Sequence, residues 1–240
     1  MKHMFRTEDS NQYMTFDQDI GSWDVSNVQS FESFMRNRRA YSAFNNGGST
    51  GINNWRPSSC TRMDYMFYEA TGFNQPIGDW DTSSVTNMDH MFRAESSYDD
   101  YMTFDQDIGS WDVSNVQSFQ QFMRNRRAYS AFNNGGSPSI SGWDTSSVTN
   151  INSMFQNCTG FNQSLAGWDV SNITNATSFL AGGTLSTANY DSTLGGWSSQ
   201  SVQNGVNIHF GNSQYSSATG AAYRTALINA GWTITDGGQA

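Results

Sequence analysis

The sequence predicts an α/β repeat solenoid, with coils of about 25 residues that each carry a short parallel strand and a short helix, closed by a C-terminal helix–strand cap. Three observations predict it. Tryptophans recur at Trp23, Trp55, Trp80, Trp111, Trp143, Trp168 and Trp197, never closer than 25 residues. An aromatic stands seven residues before each, or eleven where a loop is inserted: Phe16, Phe44, Phe73, Phe104, Phe132, Phe161 and Tyr190. Five residues after each tryptophan comes Val28, Cys60, Val85, Val116, Val148, Ile173 or Val202. A fixed period of this length marks a stack in which each repeat is one turn of a superhelix.

The unit is clearest in FNQPIGDWDTSSVTNMDHMF, residues 73–92. Ile77 and Trp80 follow Phe73 in a segment too short for a helix and bounded by turn residues, which reads as one rung of a parallel sheet. Val85, Met88, Met91 and Phe92 then fall at three-to-four spacing, which reads as a helical turn with one buried face. Asp81 and Ser83 are placed to cap it.

The residue after each aromatic is always Asn or Asp: Asp17, Asn45, Asn74, Asp105, Asn133, Asn162 and Asp191. Stacked in register, these side chains form a polar ladder for backbone groups that would otherwise be buried without partners. One coil cannot stand alone. Each buried apolar side chain contributes about 1.5–3 kcal/mol, against about 1–2 kcal/mol of backbone entropy for every ordered residue. Stacking supplies the rest.

These residues resemble a known family. The run FNQPIGDWDTSSVTNMDHMF is similar to the repeat of BspA-like surface proteins, of the mycoplasma-type surface-lipoprotein kind, relatives of the leucine-rich repeats. The resemblance covers residues 4–180, and the ending AAYRTALINAGWTITDGG resembles the closing segment of such proteins. It implies a right-handed, leucine-rich-repeat-like fold and an extracellular, non-enzymatic role in adhesion or surface recognition, with no catalytic residues. Two coils depart from the pattern. Arg56 and Pro57 follow Trp55, and the signature fades to SSQSV after Trp197, where the array ends. The expected division is a solenoid of about seven coils over 1–207 and a cap over 208–240.

A net charge of −9 with a single lysine opposes nucleic acid or an anionic membrane as partner. The chain is rich in Asn, Ser, Thr and Gly, but 14% aromatic residues placed periodically exclude disorder. No apolar run is long enough to span a bilayer, and no signal peptide is visible. The opening MKHMF echoes MDHMF at 88–92, so Met1 already lies inside a coil and the chain reads as a fragment. Cys60 and Cys158 sit several coils apart, beyond disulfide reach, and read as buried small residues.

A longer period overlies the short one. Residues 13–49 and 101–137 differ only at Glu32/Gln120 and Ser33/Gln121, so three coils are duplicated as an 88-residue block. Each block carries an acidic insertion (RTEDSNQYMT at 6–15, RAESSYDDYMT at 93–103), a basic one (RNRRAYS at 36–42 and 124–130) and a glycine turn at 46–50 and 134–138. Six of the eleven arginines lie in the two basic loops. Insertions in repeat proteins collect on one face, often the binding face, and Arg and Tyr dominate recognition surfaces. The candidate binding residues are therefore Arg36, Arg38, Arg39, Tyr41, Tyr98, Tyr101, Arg124, Arg126, Arg127 and Tyr129. Pairing of Glu8 and Asp9 with the first basic loop, and of Asp99 and Asp100 with the second, is the competing use of those arginines.

Past Asn175, AGGTLSTANY reads as a return loop. SSATGAAYRTALINAG reads as a helix capped by Ser216 or Ser217, with Ala222, Tyr223, Ala226, Leu227 and Ala230 on one face and Gly231 as its stop, followed by WTIT as a last strand.

Other chemistry is thinly represented. His3, His90 and His209 are scattered, with no zinc spacing, and no serine lies in a G-x-S-x-G context. Asp17, Asp19 and Asp24, repeated at Asp105, Asp107 and Asp112, resemble a calcium loop only without its terminal glutamate. Asp79 and Asp81 could meet the carboxyl separation of a glycosidase, but a carboxylate repeated in every coil argues for structure. Sequons at Asn157, Asn162, Asn172 and Asn175 follow from composition. The expectation is a binding module at the cell or virion surface, without catalytic residues, metal or cofactor. Its partner would be a surface protein or glycan of a cell, with copies of itself or a preceding domain meeting the N-terminal coil. The alternatives are a structural spacer or filament subunit assembled through its ends and, behind it, a carbohydrate-active enzyme.

Overall fold

Each repeat contributes one rung to a parallel ladder. The computed structural model describes residues 1–7, 14–37, 43–95, 101–127 and 130–240. Single parallel bridges link Ser30 to Arg62, Arg62 to Asn87, Asn87 to Ser118, Ser118 to Asn150 and Asn150 to Asn175. The line continues from Ala176 to Ile208 in β1 (Asn207–His209), and from β1 to β2 (Thr233–Thr235). Alternate backbone N–H groups donate forward along each rung. Met63, Tyr65, Phe67 and Glu69 donate to the carbonyls of Asn87, Asp89, Met91 and Arg93, and Met88, His90, Phe92 and Ala94 to those of Ser118, Gln120, Phe122 and Arg124, at 2.8–3.2 Å.

The rung is bent at its middle. Ser33, Tyr65, His90, Gln121, Ser153 and Ser178 occupy the same place in successive rungs, and all have φ between 52° and 59°. A non-glycine residue there costs about 1–3 kcal/mol, offset by the hydrogen bonds the bend completes: Tyr65 N–H donates to Asp89 while its carbonyl accepts from Tyr68 N–H. This bend overturns the local assignment made from spacing. The ladder lies on the Val85–Ala94 stretch, where a helical turn was expected, because a left-handed bend brings Met88, Met91 and Phe92 inward with the same spacing a helix would give. The Phe73–Trp80 stretch, expected as the strand, forms none. Its counterparts with inserted loops form 3₁₀ turns at Thr50–Asn54 and Pro138–Gly142. The preceding NGG turns hold Gly47 at φ 62° and Gly135 at φ 60°, a conformation that glycine adopts without penalty.

The core is a set of columns running along the ladder. Trp55 stacks on Trp80 at 5.7 Å between ring centres, Trp80 on Trp111 at 6.5 Å and Trp143 on Trp168 at 6.1 Å. Phe44, Phe73, Phe104, Phe132 and Phe161 form a second column at 5.8–6.2 Å. Each indole N–H donates to a carbonyl of the coil before: Trp55 to Ile20, Trp80 to Ile52, Trp111 to Ile77, Trp143 to Ile108, Trp168 to Ile140 and Trp197 to Leu165, at 2.8–3.2 Å. Six of the seven tryptophans are buried, and Trp23 in the first coil is partly so. Trp232, outside the seven, also donates to a backbone carbonyl, that of Gln203, but at a different place in the coil, since it directly precedes β2 on the ladder itself.

The Asx positions form a continuous ladder. The Oδ1 of Asp17, Asn45, Asn74, Asp105 and Asn133 accept the backbone N–H of Asn45, Asn74, Asp105, Asn133 and Asn162 in turn, at 2.7–2.9 Å. Asn162 Oδ1 then accepts from Ser186 N–H.

The segment read as a return loop, 181–190, runs into a helix, α1 (Thr187–Ser198), capped by the Ser186 hydroxyl. Tyr190, Thr193, Leu194 and Trp197 are its buried face. Gly196 sits where a Cβ would lie 2.2 Å from the Ala166 carbonyl, so close approach to the coil below keeps a poor helix former in the helix. The final helix, α2 (Gly220–Asn229), begins four residues past Ser216, whose hydroxyl accepts from Thr219 and Gly220 N–H. Of its expected apolar face only Leu227 is buried, because α2 lies against the outside of α1 with Tyr223 over Gly195. Arg224 and Tyr190 both donate to Asp236 Oδ2 at 2.7 Å, tying α2, α1 and the end of β2 together.

Candidate interaction surface

Three residues after the bend, successive rungs carry a polar side chain until the line ends at Ala181. In order these are Arg6, Arg36, Tyr68, Arg93, Arg124 and Gln156, aligned because the backbone carbonyl of each of the last five accepts the N–H that follows its predecessor. Residues 25–32 positions apart in sequence thus become neighbours in a column of arginine broken by one tyrosine and ended by a glutamine.

The middle of the column is a sandwich. The Arg36 guanidinium lies 4.9 Å from the Tyr65 ring centre and 5.1 Å from that of Tyr68, and Arg93 covers Tyr68 at 5.6 Å. His90 stacks on Tyr65 at 4.4 Å and 15°. Arginine has no acceptor, so the 3.2 Å contact between Arg93 Nη1 and His90 Nδ1 requires a neutral ring with Nδ1 accepting. Burial, then the Arg93, Arg124 and Arg36 charges, push the His90 pKa down to about 4. Burial first, with Arg93 and Arg36 opposing it, pushes the Tyr68 hydroxyl up.

Glu95 is the counter-ion of the upper half. Its carboxylate pairs with Arg93 and with Arg124, and Arg124 also donates to Gln156 Oε1 at 2.9 Å. Arg126, exposed, reaches the Glu95 carbonyl at 3.4 Å. Burial pushes both Arg93 and Arg124 below the ordinary arginine value, as for cations partly stripped of water, and Arg93 Nε has no hydrogen-bond partner. Glu69, buried beneath, accepts the Glu95 backbone N–H. Among the described residues Arg36 has aromatic contacts and no ion pair.

A second charged line, four residues earlier, neutralises itself. Lys2 meets Glu32 at 2.7 Å, Arg62 grips Asp64 with two bonds of 2.9 Å, and Asp89 accepts from Ser118 Oγ and Gln120 N–H. The Asp-rich loops are likewise occupied: Asp17 Oδ1 accepts from Asn45 and Gly47 N–H, and Asp19 Oδ1 from Ile20's neighbour Gly21 and from Asn46. Asp105 and Asp107 repeat the pattern one block later. These carboxylates hold the glycine turns of the next coil. Both cysteines are buried and free, and burial raises the Cys158 thiol to about 12.

Of the sequence-derived candidates, the structure places Arg36 and Arg124 in the column, Arg126 and Arg127 exposed beside it, and Tyr101 43% exposed next to Met102, whose N–H binds Asn125. Arg38, Arg39, Tyr41, Tyr98 and Tyr129 lie outside the described residues, as do Glu8, Asp9, Asp99 and Asp100 with their expected pairings. Sequence reading missed Tyr65, Tyr68, His90, Arg93 and Glu95. A signal existed: the H-x-x-R of His90 and Arg93 repeats that of His3 and Arg6.

A family model described as "Mycoplasma protein of unknown function, DUF285" matches residues 1–46, 39–135 and 129–221. The chain belongs to this family. The three successive matches take in all six members of the column and its Glu95 counter-ion, so the surface is built on the DUF285 repeat itself. Comparison with curated proteins and with solved structures finds no match.

Proposed function

We propose that the chain is an extracellular, non-enzymatic recognition module: a leucine-rich-repeat-like solenoid related to the BspA-like surface proteins, which presents its arginine–tyrosine column to a partner on a cell surface. The observation that carries this reading is Arg36, a cation held over two tyrosine rings without an ion pair among the described residues, on a protein of net charge −9. Arginine and tyrosine provide large contact area with directed donors. Everywhere else the polar side chains described above serve the stack. The rigid rungs beneath the column fix its geometry before any partner arrives.

The test is binding of the intact chain and of an Arg36→Ala/Arg126→Ala variant to bacterial and host cells. Both positions are surface side chains, so the variant is expected to fold and to lose binding. Equal binding by both proteins would remove the column from the site. No binding by the unaltered chain would favour a structural spacer.

A further inference from the structure

We propose that the ligand is an acidic glycan, a linear polysaccharide bearing sulfate or carboxylate groups, laid along the column from Arg36 towards Arg124 and Arg126. This rests on the column being the recognition surface.

The argument starts with shape. The column follows the stacking direction, one side chain per rung, and rungs repeat about every 4.8 Å. A matching ligand is extended and carries charge at a repeating interval. Sugar rings joined in a line do so, each ring spanning about one strand spacing. Charge comes next. Among the described residues, Arg93 and Arg124 share one carboxylate, Glu95, Arg126 reaches only the Glu95 carbonyl, and Arg36 has aromatic contacts and no ion pair. The guanidinium fork suits sulfate and carboxylate oxygens, which accept two N–H bonds at once.

Apolar content separates a glycan from a protein partner. Protein interfaces are built around a dry apolar centre, and the large exposed hydrophobic residues among those described are Met4, Tyr101, Tyr223 and Ile228. Met4 lies on the first rung, two residues before Arg6, and Tyr101 stands next to Met102, whose N–H donates to Asn125 beside Arg124. One exposed aromatic among arginines and amides suits a sugar face and its hydroxyls, with Gln121 and Gln156 supplying both donors and acceptors. Nucleic acid would meet long-range repulsion from the net charge of −9.

Glu95 gives the proposal a sign. It occupies Arg93 and Arg124 in the free protein, so an incoming anion competes with it. Removing its charge should tighten binding, whereas removing arginines should weaken it.

The experiment is titration of the intact chain with heparin (sulfated), polygalacturonate (carboxylated), dextran (neutral) and single-stranded DNA at several salt concentrations. Saturable, salt-sensitive binding of heparin or polygalacturonate is expected, and whichever binds identifies the anion. Arg36→Ala/Arg126→Ala should weaken it about tenfold or more. Glu95→Gln should tighten it, and Arg56→Ala, which removes one positive charge from an exposed site off the column, should leave it unchanged. Circular dichroism checks each fold; if Glu95→Gln is unfolded, the arginine variants and Arg36→Lys, which keeps the charge but loses the fork, decide. Binding of DNA or dextran as tight as that of the acidic glycans, an equal loss in Arg56→Ala, or no glycan binding overturns the proposal. Arginine-dependent cell binding without glycan binding overturns it alone and leaves the recognition module standing. Cell binding indifferent to the arginines overturns both.

Discussion

Replacing Trp111 with phenylalanine isolates what the indole column contributes. Trp111 is 3% exposed, stacks on Trp80 at 6.5 Å, and donates its N–H to Ile77 O at 2.9 Å. That carbonyl is otherwise left with the longer 3.3 Å bond from Trp80 N–H. Phenylalanine retains most of the ring contact but loses the donor and part of the volume. The lost bond contributes about 0.5–1.5 kcal/mol, and the incompletely filled site raises the total to about 1–3 kcal/mol. Truncation to alanine, which also opens a cavity, should cost about 3–5 kcal/mol. Trp23→Phe, in a partly buried position, should cost under about 1 kcal/mol. Urea unfolding followed by far-ultraviolet circular dichroism reads these differences, and for a chain of this size each kcal/mol shifts the melting temperature by about 2–4 °C. A Trp111→Phe protein as stable as the unaltered chain, or a Trp23→Phe protein equally damaged, would refute the claim that the inter-coil indole bond supports the stack.

Asn74→Ala should cost about 1–3 kcal/mol because Asn74 Oδ1 accepts from Asp105 N–H and Gln106 Nε2; Asn74→Asp, which keeps the acceptor as Asp17 and Asp105 do naturally, should be close to neutral in the same unfolding assay. Gly196→Ala should destabilise despite alanine's higher helix propensity, since its Cβ would meet the Ala166 carbonyl at 2.2 Å, while Gly195→Ala, facing the movable Tyr223 ring, should be neutral or mildly stabilising by thermal melting. His90, held near 4 against about 6.5 in an unfolded chain, takes up a proton more readily when unfolded, so its contribution is complete above pH 6.5 and is lost as pH falls towards 4. The loss is about 3 kcal/mol at most; His90→Gln should flatten the stability profile over that window, and a ring proton that titrates near 6.5 by NMR would refute the assignment.

The rungs show where sequence reading stops. Tryptophan and Asx positions were legible because each does one invariant job, filling the core or accepting one backbone N–H, and a job repeated every coil leaves a period. The bend was not legible. Ser33, Tyr65, His90, Gln121, Ser153 and Ser178 share a left-handed backbone but no chemistry, and none is glycine. What fixes their φ is the hydrogen bonding of the next coil, so the inward Met and Phe residues imitated a helix. In α1 the signal was present and misassigned, since Tyr190 and Trp197 at seven-residue separation satisfy the coil pattern as well as a two-turn helix.

The sequence by itself determined the repeat, its register, its duplicated block, and the concentration of arginine in the insertions, because burial and backbone satisfaction impose these locally on every coil. Only the tertiary structure decided which arginines share a surface. Arg36, Tyr68, Arg93 and Arg124 come from insertions of opposite charge and, for Tyr68, from a coil that carries neither of them. They meet because stacking places equivalent positions one strand spacing apart, whatever their separation along the chain.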